Sequence, residues 1–430
     1  MALIVQKYGG TSVGSIERIF NVARRITHTV DAGHGVAVVL SAMGHTTDEL
    51  VKLAGGITPR ASEREMAMLL STGEQVSISL LTMALETLGY PAVSFTGPQA
   101  GVVTDGSPLN SRIQEFNAHR VRQAIEAGKV AVVAGFQGAD KNGEINTLGR
   151  GGSDTTAVAL AATLKANACE IFTDVDGVYT VDPRIVAEAR KLHEITYDEM
   201  LELASLGAKV LHPRAVECGK VHGVVIHVRS SFHFEPGTLV KEETDMERGT
   251  VISGIACDED QAKIALMGVP DKPGIAARIF ATIGQAGISV DLIVQSIRRE
   301  GENDILFTVH ADDLDKTLTV LTPLVEEIGA KELYHQRDVA KISVVGAGMI
   351  HHTGVAAGMF QALAAAGINI EIISTSEIKI SCLIAKSRIH EAANAIHQHF
   401  NLAAEEEVPE KSNFTIGFTG RNNPVCRGIQ

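Results

Sequence analysis

Tryptophan is missing from this 430-residue chain, and aromatic residues altogether make up only 4% of it. Apolar residues still reach 45% against 21% charged, a balance that suits a folded globular chain and excludes a disordered or fibrous one. Cysteine is sparse. Cys169, Cys218, Cys257, Cys382 and Cys426 form neither a Cys-x-x-Cys pair nor an even framework, as expected in a reducing compartment, and none stands out as a nucleophile. Positive charge is in deficit: the formal charge of −13 argues against nucleic-acid and anionic-membrane partners, although it leaves room for a local anion site. No uninterrupted apolar run approaches the roughly 18 residues of a membrane span. Lys7 and the Gly9-Gly10 pair come too early for a signal-peptide core, so a soluble, cytoplasmic protein is expected. His351-His352 and the group His390, His397 and His399 lack carboxylate or cysteine partners at zinc-site spacing. No metal is therefore expected on protein side chains.

Among the features present, the densest is Leu148-Gly-Arg-Gly-Gly-Ser-Asp-Thr-Thr156, followed by the apolar helical run Ala157–Leu164. Glycines let the backbone approach a ligand, the first amides of a helix lack internal partners, and Arg150 adds a planar fork for a carboxylate or phosphate. The plain alternative is a glycine turn with Ser153 as N-cap and Asp154 in the first helical turn.

The chain length exceeds what one core usually supports, so two or more domains are expected. Ala2–Gln6 reads as a buried strand. A Gly9-Gly10-Thr11-Ser12 loop follows, then a helix capped by Ser15 with Ile16, Ile19, Val22, Ala23 and Ile26 on its apolar face. Lys7 thus stands at a strand's carboxyl end, where open α/β sheets form their ligand crevice. The Gly-x-x-x-x-Gly-Lys order of a P-loop is absent. Val36–Leu40, Pro91–Phe95, Val130–Ala134, Cys169–Thr173 and Val224–Val228 read as further strands, and Arg112–Ala127 and Gln75–Leu88 as helices. This alternation predicts a mainly parallel sheet covered on both faces. Thr46 with Glu49, and Ser71 with Glu74, have capping-box spacing, which offers a structural reading of both glutamates and leaves Ser41 and Thr47 free near the crevice. Asp176-Gly177 and Asp182-Pro183 are turn pairs, whereas Asp174 sits at a strand end. Lys241–Arg248 reads as a linker.

Beyond it lies an internal repeat. Gly274-Ile-Ala-Ala-Arg-Ile-Phe, Ala286-Gly-Ile-Ser-Val-Asp and Ser296 return 80 positions later as Gly354-Val-Ala-Ala-Gly-Met-Phe, Ala366-Gly-Ile-Asn-Ile-Glu and Ser376. With strands at Lys263–Met267, Ile305–Val309, Lys341–Val345 and Ile380–Ile384, and helices at Leu314–Ile328 and Ile389–Phe400, the pattern predicts two ferredoxin-like βαββαβ modules. The expected division is residues 1–245 for an α/β three-layer domain, 251–335 and 336–405 for the modules, and 406–430 for a tail.

Lys7-Tyr-Gly-Gly-Thr-Ser12, Ser41-Ala-Met-Gly44, Ser71-Thr-Gly-Glu-Gln75, Leu148-Gly-Arg-Gly-Gly-Ser-Asp154, Thr173-Asp-Val-Asp-Gly-Val-Tyr179 and Asp182-Pro-Arg184 stand in an order that resembles the aspartate kinases of the amino-acid-kinase fold, with two C-terminal ACT modules. The resemblance implies a monofunctional enzyme, without a fused homoserine dehydrogenase. It would transfer the γ-phosphoryl group of MgATP to the β-carboxylate of L-aspartate, the first committed step towards lysine, threonine and methionine. It assigns Lys7, Tyr8, Gly9, Gly10, Ser41, Thr173, Asp174, Tyr179, Asp182, Arg184, Lys209 and Val210 to the nucleotide. Thr47, Glu74, Arg150, Gly151, Gly152, Ser153 and Asp154 fall to the amino acid and the phosphoryl group, with Lys7, Glu74 and Asp154 as the catalytic set. Arg150 suits the α-carboxylate, Glu74 the α-ammonium, and Asp154 the orientation of Lys7. The β-carboxylate, with a reference pKa of about 3.9, is already ionised at neutral pH and needs no general base. Charge control is the main demand, met by Lys7, backbone amides and Mg²⁺ carried on the nucleotide.

The resemblance also implies an amino-acid effector, lysine and/or threonine, between modules of neighbouring subunits in a homo-oligomer. Asp271, Gly274 and Gln295 of the first module and Asn369, Ile370, Thr375, Ser376 and Glu377 of the second are the implied contacts. Threonine-responsive relatives carry a hydroxyl residue where this chain has Ala356, which favours lysine over threonine alone. Two other readings stay open from the residues themselves: a kinase of the same fold acting on another carboxylate or carbamate, and an amino-acid sensor without catalysis.

Overall fold

The structure is a computed structural model that describes residues 2–208, 210–242, 251–297 and 301–404. The first region alternates strand and helix: β1 (Leu3–Tyr8), α1 (Ile16–Asp31), β2 (Gly35–Leu40), α2 (Thr46–Ile57), α3 (Glu63–Leu70), α4 (Thr72–Thr87), β3 (Ala92–Phe95), α5 (Gly97–Ala100), β4 (Val102–Thr104), β5 (Ile113–Phe116), α6 (His119–Glu126), β6 (Val130–Ala134), β7 (Gln137–Ala139), β8 (Ile145–Thr147), α7 (Gly152–Leu164), β9 (Ala168–Thr173), β10 (Glu194–Thr196), α8 (Tyr197–Ser205), α9 (Pro213–His222), β11 (Ile226–Ser230) and β12 (Thr238–Lys241). Eight of these strands form one sheet in the order β10-β12-β11-β9-β1-β2-β6-β3, parallel except where β11 meets β12. The apolar runs become strands buried on both faces: every residue of β2 and β6 is buried. Val36, Val38 and Leu40 join the cluster with Ile19, Ile26, Ile78 and Leu81, whereas Ala37 and Val39 join the opposite one with Val158, Leu160 and Val216. This is a sheet between two helical layers, as the alternation predicts.

β1 is central, with β2 on one side and β9 on the other. The strand order reverses there, so the crevice opens at the carboxyl end of β1, at Lys7 and Tyr8.

Several local expectations are corrected. Arg112–Ala127 is not one helix: Ile113–Phe116 pairs antiparallel with β4 in a small sheet, β5-β4-β7-β8, and the helix waits until His119, whose N–H the Asn117 side chain accepts. Neither capping box forms. The Thr46 hydroxyl donates to the Met43 carbonyl, Ser71 donates to Met68, and Glu74 turns away from its own helix end. The N-cap of α7 is Gly151, not Ser153. Lys241 ends a strand rather than opening a linker, and residues 243–250 lie outside the described residues. By length and mean hydropathy of 1.2, the 25-residue stretch Glu63–Thr87 would suit a membrane span, although its polar residues keep it from being one apolar run. Half of it is buried, with Ile78, Leu81 and Leu85 on the sheet, which is the packing of a core helix.

The second region contains β13 (Gly254–Pro270), α10 (Ile275–Gln285), β14 (Val290–Ile297), β15 (Glu302–His310), α11 (Leu314–Ile328), β16 (Glu332–Val345), α12 (Val355–Ala365), β17 (Ile372–Thr375), β18 (Lys379–Ala385) and α13 (Ile389–His399). Its six-stranded sheet runs β14-β15-β13-β16-β18-β17, antiparallel throughout. Two strands serve both repeats. Lys263–Met267 of β13 pairs with Glu332–Gln336 of β16 in the first module, and Gly254–Asp258 pairs with Lys341–Val345 in the second, with register shifts between. The division at 335/336 therefore cuts through β16, and the second module takes its outer strand from residues that precede the first. The tail from 406 lies outside the described residues.

Candidate active site

Four loops meet at the carboxyl end of β1. After Tyr8 the chain enters a 3-10 turn, Gly10–Val13. A side chain at Gly10 would stand 2.7 Å from the Ala42 carbonyl oxygen, so only glycine lets this turn lie against the segment after β2. Ala42 is also where the start of α4 arrives. A side chain at Gly73 would meet the Ala42 methyl group at 2.9 Å, and the Ala42 N–H donates to Glu74 Oε1 at 3.1 Å.

Glu74 is 3% exposed, and its second oxygen, Oε2, is buried with no partner among the described residues. Burial pushes its carboxyl up to about 8, opposed by the backbone amides that face it. A buried carboxylate with one oxygen spoken for and one open is suited to a cation.

Lys7 Nζ lies 2.6 Å from Asp154 Oδ1, with both side chains nearly buried. The contact is an ion pair without good hydrogen-bond angles, which leaves Oδ1 open to a better-aligned donor. Asp154 rides on the first turn of α7. That helix starts at Gly151 in the left-handed region, φ 68°, where a side chain would run into the His212 ring. The Gly152 N–H is taken by the Gly149 carbonyl at 3.1 Å, which leaves the Ser153 and Asp154 amides as the helix-start donors, on the turn whose Asp154 meets Lys7. Arg150 is exposed and has no ion pair among the described residues. Ser41 follows β2 and is half-buried, and Thr47 lies in the first turn of α2.

On the other side of β1, Thr173 closes β9 with its hydroxyl donating to Asp174 Oδ1 at 3.1 Å. Tyr179 donates to Asp176 at 2.8 Å, and burial together with that bond pushes its hydroxyl up to about 12. Arg184 closes a bidentate pair on Asp182, with Nη2 to Oδ2 at 2.6 Å, and holds that carboxyl below the usual range. Val210 is half-buried against the core, and Lys209 lies outside the described residues. Tyr8 is corrected as a side-chain contact. Its ring is fully buried and stacked on Phe172 at 4.6 Å, so only its backbone faces the crevice.

Three supports were not legible in the sequence. Arg214 donates to the Leu148 and Ser111 carbonyls and pins the glycine motif from α9. His212 walls Gly151, and Ser231 bonds Ser12 at 2.5 Å beside the Gly10 turn. Only the Leu211-His-Pro213 helix start hints at any of them, because each acts across a long sequence separation.

The implied effector residues stand apart from this crevice. Asp271 accepts from Asn303 Nδ2 at 3.0 Å, Gly274 (φ 95°) opens α10, and Gln295 is exposed on β14 at one edge of the sheet. Asn369, Thr375, Ser376 and Glu377 are exposed around β17 at the other edge, with Ile370 half-buried. Among the described residues no hydrogen bond or ion pair joins the two groups.

Residues 2–230 match the amino acid kinase family, and residues 263–326 and 342–400 each match the ACT domain. An aspartokinase of Thermus thermophilus is 53% identical over 404 residues, covering 94% of this chain and 99% of that protein. The chain belongs to the aspartokinases. The crystal structure of aspartate kinase from Synechocystis is 49% identical to this aspartokinase, covering 95% of this chain and 71% of that one, with a TM-score of 0.53. Escherichia coli aspartokinase III shares the fold in two crystal structures. With aspartate and ADP (R-state) the TM-score is 0.78 at 24% identity, covering 92% of this chain and 99% of that one. With lysine and aspartate (T-state) it is 0.75 at 25% identity, covering 93% and 99%.

Proposed function

We propose that the crevice at the carboxyl end of β1 is where this aspartate kinase carries out its reaction, the transfer of the γ-phosphoryl group of ATP to the β-carboxylate of L-aspartate. The convergence on Ala42 carries this reading. One backbone segment brings together the Gly10 turn, suited to phosphate, and Glu74, suited to an ammonium.

Lys7 and the amides at the start of α7 stabilise charge on the transferred group, and Asp154 holds Lys7 in place. Glu74 Oε2 takes the α-ammonium and Arg150 the α-carboxylate, which orients the β-carboxylate for in-line attack. The nucleotide lies over Thr173, Asp174, Tyr179, Asp182 and Arg184, and Lys209 and Val210 are assigned to it as well. Mg²⁺ would enter on the nucleotide, whose phosphate oxygens are the hard ligands it prefers. The chemistry it would supply is charge neutralisation on the phosphates, beside what Lys7 and the α7 amides supply. The effector is an amino acid, lysine in preference to threonine, held by Asp271, Gly274 and Gln295 of one chain and by Asn369 to Glu377 of a second copy. The lysine complex of Escherichia coli aspartokinase III supports that choice.

ATP turnover with and without L-aspartate tests the reaction, and Lys7→Ala tests the site. Aspartate-dependent turnover is expected, falling roughly 10²–10³-fold in kcat in Lys7→Ala, the scale for loss of one preorganised transition-state contact. Lys7→Arg should not restore it. Near-normal turnover in Lys7→Ala would place the chemistry elsewhere.

A further inference from the structure

The loop assigned above to the nucleotide, Val178–Arg190, does not stand on the kinase sheet alone. It folds back on itself at a neck where the Thr180 N–H donates to the Arg190 carbonyl at 2.9 Å and the Arg190 N–H donates to the Thr180 hydroxyl at 3.0 Å. From the neck outward the loop leans on the second ACT module. Val181 and Val186, 2% and 1% exposed, belong to the same buried cluster as Met359, Leu363 and Ile396. The Asn394 amide on α13 donates to the Ile185 carbonyl at 3.3 Å, and the Ile255 N–H of β13 donates to the Thr180 carbonyl at 2.7 Å.

At the centre of this contact is a buried pair. Thr180 Oγ1 lies 3.1 Å from His397 Nε2 across 217 residues of sequence, and the two residues are 0% and 1% exposed. The Thr180 oxygen accepts from Arg190 and keeps a second lone pair and a proton, so the tautomer of His397 sets which of the two donates in this bond. Every polar group of Thr180 is then engaged: two bonds close the loop on itself and two tie it to the regulatory half. Thr180 stands in the chain between Tyr179 and Asp182, so what holds Thr180 holds the backbone that carries both.

We propose that His397 is a positioning residue of the nucleotide site: through Thr180 it holds loop Val178–Arg190 in the conformation that receives ATP, which makes α13 of the second ACT module part of the nucleotide-binding structure. The inference rests on assigning this loop to the nucleotide. When His397 releases Thr180, a buried hydroxyl loses its side-chain partner and the loop populates other conformations. Apparent nucleotide affinity falls by the fraction that remains competent, while the Glu74 side of the crevice is untouched.

The experiment compares His397→Ala, His397→Gln, Thr180→Val and Arg184→Ala in the full chain. It measures KM for ATP and for aspartate, kcat at saturation, and equilibrium binding of a non-hydrolysable ATP analogue. His397→Ala should raise KM for ATP and the analogue Kd by about 5–50-fold, the range of an unsatisfied buried hydrogen-bonding group. KM for aspartate and kcat should stay within twofold. His397→Gln, which keeps an acceptor in reach, should recover most of the affinity. Thr180→Val is isosteric and carries the test if His397→Ala does not fold; the two changes together should weaken binding no more than either alone. If Arg184→Ala weakens the analogue but His397→Ala and Thr180→Val do not, the positioning role is wrong. A parallel rise in both KM values would reduce His397 to general support of the fold, which also overturns it. If Arg184→Ala itself leaves the analogue unaffected, the assignment of the loop to the nucleotide fails, which is a separate result.

Discussion

The kinase crevice and the paired modules bury charge in opposite ways. In the crevice, Glu74 is buried with one oxygen unpartnered, and Lys7 meets Asp154 at a poor angle. In the modules, a half-buried lysine and a buried one each reach across to the sister repeat. Lys263 of β13 pairs with Glu371 beside β17, and Lys341 of β16 pairs with Asp291 of β14 and, at 3.7 Å, with Asp258. Lys341 is 2% exposed yet has two carboxylates. The pairs are reciprocal: Asp291 and Glu371 stand 80 residues apart and occupy equivalent positions, and the two lysines come from the corresponding strands at a spacing of 78. Unsatisfied buried charge costs free energy and persists where a ligand completes it, whereas satisfied buried charge fixes one arrangement of parts.

The largest effect that could break this contrast is on Glu74. With the carboxyl near 8 in the folded protein against about 4.5 in an unfolded chain, the folded state holds a proton between those values that the unfolded state has lost. Stability therefore falls as pH rises from about 4.5 to 8, then levels off. Aspartate binding needs the ionised form, so KM for aspartate should fall up to about tenfold per pH unit on approach to pH 8 and then plateau. In Glu74→Gln, KM for aspartate should rise roughly 10–100-fold and lose that dependence, with KM for ATP nearly unchanged. A flat pH profile in the unaltered enzyme would mean that Glu74 does not face the ammonium.

A change in the regulatory response comes next. Asp271→Ala, assayed at saturating substrate across a lysine titration, should lose inhibition by tenfold or more in half-inhibitory concentration and keep its uninhibited rate. Full inhibition in that variant would move the effector away from the first module.

The smallest effect belongs to the satisfied charges. Lys341→Met leaves behind Asp258 and Asp291, 20% and 39% exposed and so partly in contact with water, and the loss should be about 1–2 kcal/mol in thermal unfolding rather than the larger cost of a sealed site. Turnover and both KM values should stay within twofold. Loss of catalysis would show that the crossed pairs act on the crevice as well as on the modules.

The sequence by itself determined what depends on neighbours in the chain. Unbroken apolar runs such as Val36–Leu40 and Val130–Ala134 are strands buried on both faces, because each residue pays its own desolvation in either direction. The 80-residue repeat prescribed two like modules, and Lys7, Gly9 and Gly10 at a strand end marked the crevice. Ser15 capped its helix as read, since the bond to the Arg18 amide spans only three residues. At Thr46 the hydroxyl is taken locally by the Met43 carbonyl, but at Ser71 and Glu74 the capping spacing failed for the complementary reason. The Ala42 amide, 32 residues from Glu74, competes for the carboxylate, and no local pattern records that competitor. Ile113–Phe116 likewise became a strand only because β4 offered an edge to pair with. The tertiary structure alone decided that β13 serves two modules, that Tyr8 stacks into the core, and that Thr180 meets His397. Each of these contacts joins groups brought together by the packing of whole layers, and a buried polar atom takes the partner that packing supplies rather than the nearest one in the chain.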